Sequence, residues 1–378
     1  MSPKRILIFS LAYHPMVGGA EIAVKEITDR ISDVEFDMLT MRFNPAHPEK
    51  EKIGNCTIYR INSGPGYLGK IFFVPLAALR AIKLNRENKY DALWAIMTNM
   101  LFPVTLMRLF GNCTPYVLTL QDGDPFEYVF KRIRIRIFSP LLKYGFCHAS
   151  KVQAISNFLA LWAKQFGHRG QVEVIPNGVD FEKFVGKNVL SSALDNTTLI
   201  TTSRLVEKNA VGDIIDALKF LPENVKLQIL GTGPLEKALK FQVESLKIEK
   251  RVEFLGHISH ENLPKYLHQA DIFVRPSLSE GMGNSFIEAM AAGLPVIATP
   301  VGGIVDFLID PSNSSGQVAT GLFCEVKNPE SIAKQVRRLM DNPDLCQKLV
   351  ENAQKMVKDK YDWDLIAGEM KSRVFDTL

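Results

Sequence analysis

The chain lacks the cysteine pairs and the long apolar runs that would assign it to several large protein classes. Its five cysteines are scattered without a Cys-x-x-Cys pair, which argues against a zinc site or a disulfide framework and favours a reducing compartment. No stretch reaches the roughly 18 uninterrupted apolar residues of a spanning helix. The N-terminal sequence MSPKRILIFS has too short an apolar run for a signal peptide. We therefore expect a cytoplasmic protein.

Two phosphate-binding fingerprints are also missing. Gly231-Thr-Gly-Pro234 follows an apolar run, but a dinucleotide fingerprint would need glycine in place of Glu236, and no Walker A sequence occurs. These absences argue against a hydride-transferring enzyme and a P-loop nucleotidase. No short repeat or low-complexity tract appears, which leaves an ordinary folded protein with 46% hydrophobic and 23% charged residues.

What the chain does contain is a long alternation of apolar strands and amphipathic helices. At 378 residues it is too long for one typical core, and the alternation restarts after a polar stretch. This pattern predicts an α/β protein with two Rossmann-like, doubly wound domains and mostly parallel sheets. We place an N-terminal domain at 1–180, a linker at 181–197 and a C-terminal domain at 198–360, followed by a helix at 361–378 that crosses back to the N-terminal domain.

The segment Ser279–Gly303 (SEGMGNSFIEAMAAGLPVIATPVGG) has the strongest signal for a binding site. It predicts a glycine-rich loop between a strand and a helix, where backbone N–H groups at the helix N-terminus point at an anion. Glu280 precedes the loop, and Glu288 lies one turn into the helix. Two interpretations of Glu288 stay open, because Ser285-Phe-Ile-Glu288 also fits a capping box that would bind the carboxylate locally.

Two cations follow the first strand of the second domain, in Ser203-Arg-Leu-Val-Glu-Lys208. The carboxyl end of a strand faces the crevice in which open α/β sheets bind ligands. Arg204 offers a forked donor and Lys208 a point charge, which together suit a diphosphate. The alternative is a solvated pair partnered by Glu207.

These segments resemble the signature of retaining glycosyltransferases of family 4, which have the GT-B fold. The resemblance rests on Glu280-x7-Glu288 in the context EGMGNSFIEAMAAGLPVIATPVGG, and it covers nearly the whole chain. Other matching segments occur in family order: Gly18-Gly19-Ala20-Glu21, Pro176-Asn-Gly-Val-Asp180, Ser203-Arg-Leu, Gly231-Thr-Gly-Pro234 and Trp363.

The resemblance implies a donor nucleotide-diphosphate sugar, UDP- or GDP-linked, bound in a cleft between the two domains without a cofactor or metal. Arg204 and Lys208 would neutralise the diphosphate. Glu280 would bond hydroxyls of the donor sugar, and Glu288 those of the ribose. A donor phosphate oxygen would help to deprotonate the acceptor, so no protein nucleophile is required. Further donor contacts are implied for Gly18, Gly19, Gly231, Gly233, His257 and Ile258 near the base, Gly283, and the backbone N–H groups of Asn284, Ser285 and Phe286.

The chain departs from the family pattern in two places. The family often has a histidine next to the sugar, where Gln121 stands here, and glutamine donates a hydrogen bond but cannot transfer a proton. The family's Lys-Gly is Lys208-Asn209 here, and we expect the turn to persist because asparagine tolerates left-handed backbone angles.

The sequence Asp122-Gly-Asp124 follows Gln121 and resembles the D-x-D that binds a metal in the other large glycosyltransferase fold. The alternation of strands and helices continues into a second doubly wound domain, which favours GT-B. We therefore predict no metal at these aspartates and keep Gln121, Asp122 and Asp124 as acceptor-side candidates.

Basic residues are concentrated in the N-terminal half, where residues 1–180 carry 22 Lys and Arg against 15 Asp and Glu. Lys131–Phe138 and Leu68–Arg86 combine cations with apolar residues, a pattern typical of docking on anionic lipid. The alternative is that these apolar residues pack inside and the cations are merely solvated. Nucleic acid is a poor fit, because the cations are not interleaved with stacking aromatics.

Taken together, the sequence predicts a retaining, metal-independent transferase that moves a hexose-type sugar onto a glycan or lipid-linked acceptor in cell-surface polysaccharide or glycolipid synthesis. It would act in the cytoplasm, peripherally on the cytoplasmic face of the membrane. The alternatives are a non-catalytic GT-B partner subunit of another transferase and a nucleotide-sugar epimerase. The retained charges at Arg204, Lys208, Glu280 and Glu288 argue against the partner subunit, and an epimerase has different motifs.

Overall fold

The computed structural model of the protein describes residues 3–16, 18–64, 66–130, 136–186, 197–313 and 316–378. The chain divides into two compact units, Met1–Asn177 with Trp363–Leu378, and Gly178–Asp362. Residues 187–196 of the predicted linker and 131–135 of the predicted basic segment lie outside the described residues. The first linker residues, Phe181–Phe184, form a short helix of the second unit.

The first unit is built on a sheet that has eight strands in the described part of the chain, in the order β3-β4-β2-β1-β5-β6-β7-β8. All neighbours pair in parallel except β3 and β4, which form an antiparallel edge hairpin. Strand order reverses between β1 and β5, which is where doubly wound sheets bind ligands. The strands are β1 (Lys4–Phe9), β2 (Val34–Met41), β3 (Lys50–Ile53), β4 (Cys56–Ile61), β5 (Ala92–Ile96), β6 (Tyr116–Leu120), β7 (Lys151–Ala154) and β8 (Val172–Val174).

Helices connect these strands, as a parallel sheet requires. They are α1 (Gly19–Arg30), α2 (Gly66–Asn88), α3 (Leu101–Leu109), α4 (Phe126–Phe130), α5 (Ser139–His148) and α6 (Asn157–Gln165). Helix α1 forms because its apolar residues recur at helical spacing, and Ala23, Val24 and Ile27 are buried against the sheet. Every residue of β5 and β6 is buried, as expected for central strands covered on both faces.

The last residues of the chain complete the core of the first unit. Trp363, Ile366 and Phe375 are buried with Phe36 and Trp94 of the sheet. The Trp94 ring lies 5.0 Å from that of Phe375, edge to face, and the Trp94 indole N–H donates to the Thr119 hydroxyl at 2.7 Å. The buried tryptophan therefore has both an aromatic neighbour and a satisfied polar group.

The second unit has a six-stranded sheet in its described residues, in the order β11-β10-β9-β12-β13-β14, and every neighbouring pair is parallel. Strand order reverses between β9 and β12. The strands are β9 (Thr198–Thr202), β10 (Lys226–Leu230), β11 (Val252–Gly256), β12 (Ile272–Arg275), β13 (Val296–Ala298) and β14 (Leu322–Phe323). The helices are α7 (Phe181–Phe184), α8 (Val211–Ala217), α9 (Glu236–Ser245), α10 (Leu263–Leu267), α11 (Asn284–Ala291), α12 (Pro329–Met340) and α13 (Pro343–Lys360), while α14 (Trp363–Glu369) belongs to the first unit.

The two α/β units with dominantly parallel sheets confirm the predicted fold class. The edge hairpin β3–β4 is the exception to the predicted parallel pattern. Across the described residues, no helix is both long enough and apolar enough to cross a bilayer.

Candidate functional site

The predicted catalytic residues lie at the point where strand order reverses in the second sheet. Arg204 and Lys208 follow β9, and Glu280 follows its neighbour β12. The loops that carry them are joined directly, because the Leu278 N–H donates to the Lys208 carbonyl at 2.7 Å. Arg204 is exposed, Lys208 is partly buried, and Glu280 is buried. Two cations and a carboxylate thus share the carboxyl edge of the sheet, where a charged ligand would be expected.

Glu280 is held in an ion pair that the sequence did not reveal. Its Oε2 accepts from the guanidinium of Arg275, and its Oε1 lies 3.2 Å from the Gly281 N–H. The backbone carbonyl of Glu280 also accepts from the Gly303 N–H at 3.1 Å. Both side chains of the pair are only 10% exposed, so a charge on one needs the other.

Asn209 ties this pair to the loop that follows β9. Its side-chain amide donates to the Arg204 carbonyl at 2.6 Å and its oxygen accepts from Arg275 at 3.0 Å. The residue is buried, and the left-handed turn expected at this position lies one residue later, at Ala210 (φ 48°, ψ 39°). A left-handed turn is thus present, but its left-handed residue is Ala210 and not Asn209, whose side-chain amide bridges Arg204 and Arg275.

The two glycines after β10 allow the loops after β9 and β10 to meet. A Cβ on Gly231 (φ +134°) would lie 1.9 Å from the Ser203 carbonyl oxygen, and one on Gly233 would lie 2.4 Å from that of Leu205. Hydrogen bonds between Leu205 and Thr232 and between Leu235 and Leu205 hold this contact. Their close packing explains both glycines, and a donor contact at this turn stays a prediction.

The helix at the predicted anion site begins earlier than a capping box would require. Gly283 (φ +86°) is the N-cap of α11 and Asn284 is its first residue, so Ser285 is inside the helix. The Ser285 hydroxyl accepts from Arg275 at 2.7 Å. The capping-box interpretation of Glu288 was therefore wrong. Of the three predicted backbone donors, the Phe286 N–H already donates to the Gly283 carbonyl at 3.1 Å.

Glu288 pairs with a histidine from the loop after β11. His260 Nε2 lies 3.0 Å from Glu288 Oε1, and the carboxylate is buried. His257 and Ile258, predicted near the base, stand in the same loop, with His257 exposed. The structure therefore brings the base-side and ribose-side candidates to adjacent positions. His260 was missed because a lone histidine four residues after a glycine carries little signal in one sequence.

The remaining donor-side candidates, Gly18 and Gly19, and the acceptor-side candidates lie at the carboxyl edge of the first sheet. Gly18 and Gly19 follow β1 and start α1, where the Glu21 carboxylate accepts from the Gly18 N–H at 2.8 Å. Gln121 follows β6 and is partly buried, with its Oε1 3.5 Å from the amide of Asn177.

Asp122 is buried, whereas Asp124 is only partly buried. The Asp122 Oδ2 accepts hydrogen bonds from the Thr98 hydroxyl at 2.9 Å and from the Thr98 N–H at 3.3 Å. Thr98 follows Met97, which has the strained backbone angles φ 68° and ψ 161°. Burial raises the pKa of Asp122 to about 6, although the hydrogen bonds from Thr98 oppose the shift.

Asp122→Asn is expected to stabilise the protein at pH 7.5. The pKa of the aspartate rises from 3.8 in the unfolded chain to about 6 in the fold, so stability is lost as pH rises through that window. The shift corresponds to at most about 3 kcal/mol at neutral pH, which asparagine would recover while still accepting from Thr98. Urea unfolding at pH 7.5 and pH 4.5 measures the gain, which should shrink at the lower pH. Asp344→Asn, at an exposed position, is the control, and a gain that does not change with pH would contradict the buried-carboxylate explanation.

No group of three or more His, Cys, Asp or Glu side chains that could hold a metal ion occurs among the described residues. Positive charge at the edge of the second sheet comes from arginine and lysine, and the first N–H groups of α11 add the positive end of a helix. The arrangement can hold an anion and a polar, hydroxyl-rich group side by side.

Comparison with known proteins agrees with this organisation. A protein-family model described as Glycosyltransferase Family 4 matches residues 17–183, and a second one, described as Glycosyl transferases group 1, matches residues 185–356. The N-acetyl-alpha-D-glucosaminyl L-malate synthase of Bacillus anthracis is 31% identical over 98% of this chain and 97% of its own length. The chain belongs to glycosyltransferase family 4. The alpha-monoglucosyldiacylglycerol synthase of Acholeplasma laidlawii is 24% identical to this glycosyltransferase over 93% of the chain and 92% of the relative.

A solved structure supports the fold of this family 4 glycosyltransferase along its whole length. Anabaena Alr3699/HepE in complex with UDP-glucose matches with a TM-score of 0.80 at 22% identity, over 99% of this chain and 100% of that chain. The GT-B fold predicted from the sequence is thereby confirmed.

Proposed function

We propose that this glycosyltransferase moves a hexose-type sugar, with retention, from a nucleotide-diphosphate sugar to a glycan or lipid-linked acceptor. The observation that carries the proposal is the joined pair of loops that places Arg204 and Lys208 beside the buried Glu280–Arg275 pair. The Anabaena complex with UDP-glucose supports a nucleotide-sugar donor, with a uridine nucleotide as the first candidate and a guanosine nucleotide as the second.

The proposed roles follow from how charge moves during the reaction. Breaking the bond between the anomeric carbon and the phosphate oxygen develops negative charge on the nucleoside diphosphate and positive charge on the sugar. Arg204, Lys208 and the N-terminus of α11 would stabilise the departing diphosphate more than the intact donor. The acceptor hydroxyl forms the new bond, and its proton goes to an oxygen of the departing diphosphate. These groups supply the charge compensation without requiring a metal.

The donor-side assignments complete the proposal. Glu280 Oε1 would accept a hydrogen bond from a hydroxyl of the donor sugar. Glu288, next to His260, would bind the ribose hydroxyls. Gly18 and Gly19 would contact the donor from the first unit, whereas Gln121 and Asp124 would lie on the acceptor side. The buried carboxylate of Asp122 would shape the loop through Thr98.

The test is a screen of UDP- and GDP-linked sugars, first for slow hydrolysis and then for a rise in the unfolding temperature. A ligand at 100 times its Kd stabilises the folded state by roughly 2.7 kcal/mol, which such a measurement detects. We expect one nucleotide sugar to be hydrolysed with release of the nucleoside diphosphate, and the anomer formed on a suitable acceptor to match the donor. Conversion of the donor into an epimer without release of the diphosphate would favour the epimerase alternative.

We further propose that the first unit docks on an anionic membrane through the outward face of α2. The buried stripe of this helix is formed by Gly69, Phe73, Ala77, Ala81 and Leu84. On the opposite face, Leu68, Ile71, Phe72 and Leu79 are 65%, 48%, 57% and 59% exposed. A surface helix normally presents polar residues to water, and an apolar outward face of this kind suits the acyl boundary of a bilayer.

Charge along α2 favours an anionic lipid surface as its partner. The helix carries Lys70, Arg80, Lys83 and Arg86 against one acidic residue, Glu87. The Lys83 ammonium lies 3.9 Å from the Glu87 carboxylate, and the helix as a whole has a net charge of three positive units. The other predicted basic segment, Lys131–Phe138, is described from residue 136 onward. There, Ile137 and Phe138 are 69% and 54% exposed, and Phe138 contacts Phe102 of α3. The glycolipid in the name of the Acholeplasma relative, an alpha-monoglucosyldiacylglycerol synthase, is consistent with a membrane-bound substrate.

Replacing Leu68 and Phe72 with glutamate should reduce binding to liposomes that contain anionic phospholipid. Each apolar side chain is expected to contribute on the order of 1 kcal/mol, so the double variant should bind at least about tenfold more weakly. Co-sedimentation at low salt measures the bound fraction, with neutral vesicles for comparison. Phe241→Glu, at a side chain of the second unit that is 70% exposed, is the control. Equal binding of the wild-type protein to anionic and neutral vesicles would refute the docking surface.

A further inference from the structure

Arg275 occupies the centre of a polar network that links three segments of the second unit. Its Nη1 donates to the Ser285 hydroxyl at 2.7 Å, and its Nη2 donates to Asn209 Oδ1 at 3.0 Å and to the Glu280 carboxylate. Ser285 lies in the first turn of α11, Asn209 lies after β9, and Glu280 lies in the loop after β12. The guanidinium therefore contacts both loops that carry proposed catalytic residues.

This guanidinium is deeply enclosed. Arg275 is 8% exposed, and its charged carbon lies 5.2 Å from the centre of the Phe286 ring. A buried arginine cannot lose its charge and needs a carboxylate nearby. Its planar fork also reaches two directions at once, whereas the single ammonium of lysine cannot hold the same set of acceptors. The position thus requires arginine for its geometry as well as for its charge.

The pairing also decides which part of Glu280 is available to a ligand. Oε2 is occupied by Arg275, and Oε1 is 3.2 Å from the Gly281 N–H, at the start of the glycine-containing loop. The same guanidinium is connected through Asn209 to the carbonyl of Arg204. A shift of either loop would therefore disturb hydrogen bonds in the other.

We propose that Arg275 is a positioning residue that fixes Glu280 for the donor sugar and couples it to the loop bearing Arg204 and Lys208. The inference rests on the proposed function, because it assumes that Glu280 binds the sugar. It predicts that Arg275 affects recognition of the sugar far more than recognition of the nucleoside diphosphate. A residue that only stabilised the fold would affect both alike.

The experiment compares Arg275→Met and Arg275→Lys with wild-type protein, using UDP with UDP-glucose and GDP with GDP-mannose as probes. Binding is measured by calorimetry, and turnover is measured as release of the nucleoside diphosphate. We expect Arg275→Met to lower kcat at least about 100-fold and to abolish the affinity difference between the sugar nucleotide and the diphosphate, while the Kd for the diphosphate changes less than about threefold. The kcat of Arg275→Lys should be about tenfold higher than that of Arg275→Met, because lysine can still pair with Glu280.

Arg251→Met is the matched control in the same unit. Arg251 donates to the carbonyl oxygens of Leu218, Leu221, Pro222 and Val225, so its loss destabilises the unit at a place with no proposed ligand. The Arg251→Met variant should therefore prefer the sugar nucleotide over the diphosphate as strongly as the wild type does. Should Arg275→Met fail to fold, Ser285→Ala removes one acceptor alone and should still weaken sugar-nucleotide binding relative to diphosphate binding.

Two outcomes separate the inference from the function on which it rests. Wild-type protein that binds and hydrolyses none of the sugar nucleotides would overturn the proposed function and this inference together. An active wild-type enzyme whose folded Arg275→Met variant keeps its turnover and its preference for the sugar nucleotide would overturn only the positioning role. Equal weakening of diphosphate and sugar-nucleotide binding in the folded variant would likewise overturn the role of Arg275 in positioning Glu280 for the sugar.

Discussion

Glu280→Gln is expected to lower kcat/KM about 100- to 1,000-fold, because it removes the negative charge that faces the sugar as positive charge develops there. Glutamine keeps the shape of the side chain and can still accept a hydrogen bond from Arg275. Alanine is the poorer test, because both variants leave Arg275 without a counter-charge but alanine also removes its hydrogen-bond acceptor, which brings the cost closer to the roughly 3–5 kcal/mol of a broken buried pair. Steady-state turnover of the sugar nucleotide, measured together with the unfolding midpoint, separates loss of catalysis from loss of folding.

The control for this variant is a second buried glutamate with an arginine partner. Glu173 in the first unit is 7% exposed, and its Oε2 lies 2.8 Å from Arg373 Nη2. Glu173→Gln should therefore lose a similar carboxylate–guanidinium contact, at a smaller cost in stability because Arg373 is 41% exposed and also pairs with Glu369, and it should keep its turnover. If the two glutamine variants lost activity equally, the role of Glu280 in catalysis would have to be abandoned.

Lys208→Met should reduce kcat about 100- to 1,000-fold, with a smaller effect on the Kd of the sugar nucleotide. The departing diphosphate carries more negative charge in the transition state than in the bound donor, so a fixed ammonium next to it contributes most at that point. Methionine retains most of the length of the apolar stem and removes only the charge. Single-turnover kinetics with saturating donor give the chemical step directly.

Lys219→Met provides the comparison for the lysine variant. Lys219 lies on the surface of the same unit, 2.9 Å from Asp216 on the neighbouring helical turn. An exposed ion pair of this kind contributes roughly 0.2–1 kcal/mol, so this variant should be nearly as stable and as active as the wild type. Unchanged turnover in folded Lys208→Met would place the diphosphate elsewhere.

Strands buried on both faces were predictable to the residue. The apolar runs Ala92–Ile96 and Tyr116–Leu120 predict strands from the sequence alone, and β5 and β6 have these bounds. Both are runs of apolar or β-branched residues, which burial in a parallel sheet selects strongly. By contrast, β3 (KEKI) escaped prediction, because an exposed edge strand with alternating charges carries no burial signal.

The site was less predictable because side-chain partners are set by the fold. Arg275 reads in sequence as the last residue of an apolar strand, and only the structure brings it to Glu280, Asn209 and Ser285. Glu288 fitted a capping box by spacing, yet Gly283 starts the helix earlier and frees that carboxylate for His260. Spacing along one chain thus located the loops and their charges. It could not reveal contacts between residues on different strands and loops.

The return of the chain to the first unit has a consequence for biosynthesis. During translation, all of the second unit emerges from the ribosome before Trp363 and Phe375, which fill the core around Trp94 and Phe36. The first unit must therefore wait, with an apolar face of its sheet incompletely covered, while the remaining 185 residues up to Asp362 are made. The half synthesised first is thus the half that matures last, and it is the more exposed of the two to chaperones and proteases during synthesis.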